Sequence, residues 1–393
     1  MRREAGGPAE GLRLLTQGYR EEGHEAEVAT LDPPATVAPD VLAPVHALGR
    51  KTFGYGYSPA LAEFFRAEAN RFDGIVIHGL WQYQGLAALR ELRGRHRYAV
   101  FPHGMLDPWF NRAYPLKLLK KIPYWLLVER KLLAGADAVL FTSSAEARLA
   151  RTSFPGPRWR SEVVPYGTLG PQGDPASNRV AFVERVPALK DRPYLLFAGR
   201  MHEKKGCDLL LRAYAEVRRK TDLLCLVMAG PDETGLSSTL RAVAAEEGLD
   251  DFVFWPGMLT GAAKWGAFQS ADAFVLPSHQ ENFGIAVAEA LSCGVPALIS
   301  DQVNIHGDVS ASDAGLVEPD TLDGTVRLLR RWAALSDAER NVMRAKALQC
   351  WRNRFDSAGT SRAIVRLFQE RRKGPASEGP PDGMQERRRP DLM

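Results

Sequence analysis

Residues 271–300 read ADAFVLPSHQENFGIAVAEALSCGVPALIS, and the fold class turns on them. Ala273–Leu276 and Pro296–Ser300 are short apolar runs of strand length. Between them an apolar helix follows Glu281-Asn282-Phe283-Gly284 and ends before the breaker Gly294-Val295-Pro296. Strand, helix and strand in this order make one unit of a parallel sheet covered by helices.

The same alternation extends outward along the chain. Strands are expected near Glu25–Leu31, Gly74–His78, Tyr98–Pro102, Ala138–Thr142 and Glu162–Val164 in the first part. In the second part they are expected near Tyr194–Ala198, Leu223–Ala229 and Phe252–Trp255, ahead of the two strands already described. A chain of 393 residues exceeds what one core usually supports, so the pattern predicts an α/β protein of two Rossmann-like domains facing across a cleft. Gly167 to Arg192 carries several Pro, Gly and Asn residues and no clean period, which places a linker at 171–191 between domains at 1–170 and 192–356. From Phe355-Asp356-Ser357 a last helix is expected over 357–370, with Ser357 as its cap and Ala363, Ile364 and Leu367 on one face. Residues 371–393 have little to bury and are expected to be a disordered tail. At the other end Gly6-Gly7-Pro8 leads directly into a helix with Leu12, Leu15 and Tyr19 on one face. A doubly wound domain begins with a strand before such a turn, so the N-terminal domain is expected to lack its first strand.

Composition excludes several classes. With 45% apolar and 25% charged residues the chain is ordinary for a globular protein, and a net charge of +4 does not mark a nucleic-acid binder. Cys207, Cys225, Cys293 and Cys350 form no CxxC pair, which argues against a zinc site and a disulfide framework. A reducing, cytoplasmic setting is expected, because no run is long and apolar enough to cross a bilayer and the N-terminus has no signal-peptide core.

The chemistry concentrates at two places. Glu281 and Glu289 frame a helix N-terminus, and eight residues of helical rise put them roughly 12 Å apart. The amides near Gly284 and Ile285 offer an anion site between two carboxylates that accept hydrogen bonds from hydroxyls. That layout suits a nucleotide sugar; spacing alone fits one loop glutamate and one exposed helical glutamate equally well. The second place is Gly199-Arg200-Met201-His202-Glu203-Lys204-Lys205-Gly206, directly after the strand Tyr194–Ala198. Arg200 supplies a planar fork and Lys205 a compact charge, a pair suited to a leaving diphosphate. Taken alone the stretch reads more readily as a solvated charged turn.

As an ordered set, GRxxxxKG, a strand ending in MAGPDE, FVFWPG and LPSxxENFGIAVAEALSCGVPALISD resemble the donor domain of the retaining glycosyltransferases of GT-B fold, the group 1 or family 4 enzymes with two glutamates eight residues apart. Ala5-Gly-Gly-Pro-Ala-Glu, His78-Gly-Leu-Trp and Phe101-Pro-His-Gly-Met-Leu resemble the N-terminal domain of members that build exopolysaccharide or lipopolysaccharide. The likeness runs from Gly6 to about Gln369. It implies that Arg200 and Lys205 hold the donor diphosphate, Glu289 the ribose hydroxyls and Glu281 hydroxyls of the transferred hexose. It implies further that Asn282 belongs to the donor site, that Phe283, Gly284 and Ile285 present backbone amides to sugar and phosphate, and that Gly230 and Met258, with Pro256 and Gly257, line the base pocket. His103 would face the reacting centre and Gly7 would approach the phosphate, while His78 and His279 are weaker candidates. Transfer would proceed with retention of configuration, with no metal and no cofactor besides the nucleotide-sugar substrate.

From Trp109 to Leu133, aromatic residues alternate with Arg112, Lys117, Lys120, Lys121, Arg130 and Lys131. Such a segment suits an anionic membrane surface and a polyprenyl-linked or other glycan acceptor, or it packs inward with its lysines covering the surface; Pro115 and Pro123 interrupt its period. Peripheral attachment at the inner face of the cell membrane is the corresponding expectation. A dinucleotide-dependent oxidoreductase is disfavoured because Gly54-Tyr55-Gly56 lacks a third glycine. A GT-B epimerase, a phosphorylase and a non-catalytic nucleotide-sugar binder remain as alternatives.

Overall fold

The computed structural model describes residues 7–33, 43–49, 54–156, 158–164, 166–222, 224–232 and 235–370. The first described element is the helix Gly7–Glu21, with Gly7 at its start. Strands β1 (Val28–Thr30) and β2 (Val45–Ala47) form a separate parallel pair. β2 was not expected, since Val45-His46-Ala47 is too short to carry a period. The main N-terminal sheet holds β3 (Ile75–His78), β4 (Tyr98–Phe101), β5 (Ala138–Phe141) and β6 (Ser161–Val163), parallel and in that order.

The C-terminal domain has a six-stranded parallel sheet. Its strands are β7 (Tyr194–Ala198), β8 (Cys225–Ala229), β9 (Val253–Gly257), β10 (Ala273–Leu276), β11 (Ala297–Ser300) and β12 (Gly315–Glu318). They lie side by side as β12-β11-β10-β7-β8-β9, the doubly wound order whose winding reverses between β7 and β10. β12 was not anticipated; Gly315-Leu316-Val317-Glu318 has only two apolar side chains and lies at a sheet edge.

Parallel strands buried on both faces read as continuous apolar runs. In β4, Tyr98 and Val100 join a core confined to the N-terminal domain, while Ala99 and Phe101 join one that continues through Val164, Tyr166, Phe283 and Phe355 into the C-terminal domain.

The segment 171–191, expected as the linker on its lack of a clean period, holds an eleven-residue helix, Pro175–Arg185, with Asp174 capping the Ser177 amide. Its period was masked because the buried positions Asn178 and Phe182 include a polar residue. Asn178 donates to Gln269 Oε1 at 3.1 Å, and a Cβ on Gly266 would lie 2.0 Å from the Asn178 carbonyl oxygen, so this helix is wedged against the helix Gly261–Gln269.

The final helix, Ala358–Glu370, returns to the N-terminal domain. Ser361 abuts Gly18, and Arg97 donates to the carbonyls of Leu367 and Phe368 while lying 5.3 Å over the Phe368 ring. The expected tail 371–393, the strand residue Leu223 and Gly6 lie outside the described residues.

Candidate active site

Because the winding reverses between β7 and β10, the loops leaving those strands diverge and open a crevice, the place where α/β sheets take ligands. Here the two loops are also sewn together. His279 N and Ser278 Oγ both donate to the Lys204 carbonyl oxygen at 2.9 Å. Gly206, at φ +65°, sits where a Cβ would lie 2.1 Å from the Pro277 carbonyl oxygen, so only glycine allows the approach. The consequence is an ion pair between Lys205 Nζ and Glu281 Oε2, which joins the two candidate motifs across 76 residues of sequence. Burial, with help from Lys204 and Arg200, pulls the Lys205 ammonium down to about 7, while the Glu281 carboxylate against it favours the charged form. Lys204 is pulled down to about 8 by burial and by Arg200, against the attraction of Asp107. Arg200 stands exposed at the rim.

Glu281 is pinned by its backbone: its amide donates to Gln302 O at 3.1 Å and its carbonyl accepts from Asn304 N at 3.0 Å. Gly284 adopts φ +81° and opens the helix Ile285–Ser292. Val287 and Ala288 donate back to the Gly284 carbonyl, so the amides of Ile285 and Ala286 precede the first intrahelical bonds at the helix mouth. The Phe283 ring is buried edge-on against Tyr166 and Phe355, leaving its backbone toward the loop's function. Glu289 is buried at 8% exposure and receives Lys264 Nζ at 2.5 Å. An exposed helical glutamate is therefore ruled out at this position. Gly230 N donates to Gly257 O, and Met201 N to Pro231 O, both at 2.9 Å. These bonds draw the ends of β7, β8 and β9 together beside an exposed Met258.

On the N-terminal side His103 lies two residues past β4 in the left-handed region, φ +51°, followed by Gly104 at φ +76°. His103 Nε2 lies 2.9 Å from His78 Nδ1, and its ring stacks on Phe101 at 4.3 Å. Burial lowers His78 to about 4 and carries His103 well below its ordinary value, so both rings are neutral near pH 7. His78 and His103 are thus one pair rather than two candidates. His279 instead bonds Asp320 at 2.9 Å, away from that pair. The domains meet where Gln280 donates to Asp107 at 2.8 Å, where the Asn282 side chain reaches Thr142, and where Lys204 lies 5.2 Å over Phe110. Among the described residues no group of three or more His, Cys, Asp or Glu converges to hold a metal ion.

Two family models match the chain: a glycosyl transferase 4-like domain over residues 6–167 and the glycosyl transferases group 1 over 181–349. A D-inositol 3-phosphate glycosyltransferase of Frankia alni is 30% identical over 326 residues, covering 77% of this chain and 78% of that protein. The chain belongs to the group 1 glycosyltransferases. A second enzyme of that name, from Saccharomonospora viridis, is 31% identical over 62% of this chain and 57% of its own length. Sucrose-phosphate synthase from Thermosynechococcus elongatus superposes with a TM-score of 0.72 at 21% identity, covering 93% of this chain and 94% of its own. Anabaena HepE, solved with UDP and glucose, gives 0.72 at 16% identity over 93% and 97%. The fold of this glycosyltransferase is GT-B: two α/β domains with parallel sheets.

Several residues of this glycosyltransferase's cleft went unread in the sequence. Lys264 lies on its own helix, 25 residues before its partner, and nothing local marks it. Asp107 reads as the cap of the short helix Pro108–Ala113, and only the assembled cleft adds its bond to Gln280. Glu146 lies three residues after the cap Ser143, a spacing that reads as helix capping, yet its carboxylate turns elsewhere.

Proposed function

We propose that this glycosyltransferase moves a hexose from a nucleotide-diphosphate sugar to a glycan or lipid-linked glycan, with retention of configuration, in the building of exopolysaccharide or lipopolysaccharide. The observation that carries this reading is the convergence of Arg200, Lys205, Glu281 and the mouth of the helix Ile285–Ser292 on one crevice at the switch point. Two cations and free amides suit a diphosphate, and carboxylates at either end suit sugar and ribose hydroxyls.

In the reaction the bond between the anomeric carbon and the diphosphate oxygen breaks. The acceptor hydroxyl forms its bond on the same face and yields its proton to the departing phosphate oxygen. Arg200, Lys205 and the Ile285 and Ala286 amides hold the growing negative charge, a task that needs no covalent nucleophile. Glu281 orients the hexose and Glu289 the ribose. The neutral His78–His103 pair lines the opposite wall, where an uncharged ring accepts or donates a hydrogen bond without repelling an oxocarbenium-like centre. Gly7 opens a helix, so an approach to the phosphate there would come through the helix mouth. Gly230 and Met258 border the base.

A lipid-linked acceptor is favoured by the helix Pro115–Tyr124, which has no buried residue and leaves Leu116 and Leu119 76% and 67% exposed. Leu127 continues the apolar surface, while Trp125, Leu132 and Leu133 pack inward, so the segment divides between membrane-like and core faces. Lys117, Lys120 and Lys121 flank the exposed leucines, a composition that fits an anionic bilayer surface at the inner face of the cell membrane. No helix among the described residues is long and apolar enough to cross a membrane. A second reading, an inositol phosphate acceptor, is favoured by the relatives of that name. Product analysis with labelled donor against lipid-linked glycan and inositol phosphate separates the two: anomeric retention and a lipid-extractable product support the first, and a water-soluble glycosylated inositol phosphate replaces it. Co-sedimentation with anionic vesicles at low salt should be lost in Leu116→Asp/Leu119→Asp; no association by the unaltered protein removes the membrane from the account.

A further inference from the structure

Glu146 is 4% exposed, and three donors from two different strand ends converge on it. Oε1 accepts the Gly104 amide at 2.8 Å, in the turn that carries His103. Oε2 accepts the Thr142 amide and the Thr142 hydroxyl, both at 2.7 Å. A hydroxyl has one proton, and since Thr142 spends its own on a carboxylate, its lone pairs face outward as acceptors. The group they face is Asn282 Nδ2 of the donor loop, at 3.5 Å. Gly104 completes the joint: a Cβ there would lie 2.7 Å from Asn282 Cγ, so only glycine lets the two loops close on each other. Burial raises Glu146 while its Thr142, Gly104 and Asn282 partners oppose that rise.

We propose that Glu146 is a positioning residue for transfer, holding the His103 turn through the Gly104 amide and the donor loop through Thr142 and Asn282, so that the two walls of the cleft close in register. The long contact and an Asn282 Oδ1 buried without a partner among the described residues mark a joint weak enough to open for each turnover. The kinetic side of this proposal rests on the transfer reaction proposed above.

The test uses the full chain with Glu146→Gln, Thr142→Val, Asn282→Ala and the Thr142→Val/Asn282→Ala pair. Nucleotide affinity should stay within about threefold of the parent in Glu146→Gln and Thr142→Val, neither of which alters a donor-site residue, while kcat falls about ten- to a hundredfold in each single variant. The double variant should lose no more than the worse single one, because both substitutions break one joint. Hydrogen exchange of a peptide spanning Gly104 to Asp107 should quicken in Asn282→Ala with no substrate present, although Asn282 belongs to the other domain. Additive kinetic losses, a parallel fall in melting temperature and nucleotide affinity, or unchanged exchange would overturn the proposal and leave Glu146 a purely structural acid. Failure of the unaltered protein to transfer any sugar would count against the proposed reaction instead, and the exchange measurement would still decide the joint.

Discussion

The two walls of the cleft hold their ionisable groups in opposite ways. In the C-terminal domain the groups are paired and charged, Lys205 with Glu281 and Lys264 with Glu289. In the N-terminal domain burial strips charge away: His78 and His103 share a hydrogen bond as neutral rings, and Glu129, buried on a π-helical turn with the Trp81 amide on Oε1, is raised to about 7. One wall is built to meet an anion. The other offers a low-dielectric face, where a fixed charge would be costly and which under the proposed transfer would meet a neutral hydroxyl and a developing positive centre.

Breaking the charged wall should have the largest effect. Lys205→Ala leaves Glu281 without its ion-pair partner and would remove the proposed diphosphate contact, so kcat/KM should drop by about a thousandfold or more in a steady-state assay. A drop under tenfold would mean that the lysine holds Glu281 in place and touches no substrate. Next in size, Glu289→Ala should weaken nucleotide binding about ten- to a hundredfold through loss of hydroxyl contacts, and Lys264→Met should produce part of the same loss by releasing the carboxylate.

The pair Lys205 and Lys204, at about 7 and about 8, gives the charged wall a pH signature. Burial pulls both ammonium groups down, and a bound diphosphate favours their charged forms, so binding at pH 8 should take up protons. Calorimetry in buffers of different ionisation enthalpy reads this as a non-zero uptake at pH 8 that fades by pH 6. Uptake equal at both values would contradict the assignment. On the neutral wall the sign reverses. His78 has a folded value near 4, below the ordinary 6.5, so stability is fully present above about 6.5 and is lost as pH falls toward 4. His78→Gln should flatten that acid limb of the melting-temperature curve by a modest amount; an unchanged limb would assign the acid sensitivity to other groups.

The same contrast explains what could be read in the sequence. The C-terminal strands β7 to β11 were legible as short apolar runs, and the Glu281–Glu289 motif was legible because Glu281, Gly284 and Glu289 sit within nine residues of one strand-loop-helix unit. Lys205 was legible as a cation near the crevice, but its bond to Glu281 depends on β7 lying beside β10, a fact of topology and not of spacing. On the N-terminal wall the functional geometry comes from positive-φ turns and from burial. Neither His103 at φ +51° nor its contact with His78, 25 residues away, leaves a local pattern. Short or edge strands, β2 and β12, show no strand pattern for want of apolar residues, and the helix Pro175–Arg185 shows no clean period because Asn178 occupies a buried position.

The most direct test of the central claim is calorimetric binding of UDP, GDP and their common hexose conjugates to the purified protein, to Arg200→Ala and to Glu289→Ala. The account predicts selective binding of one nucleotide and its sugar conjugate, weakened at least about tenfold in both variants. A folded protein that binds no nucleotide, or one whose binding survives both substitutions unchanged, would contradict a donor site at the β7–β10 switch point.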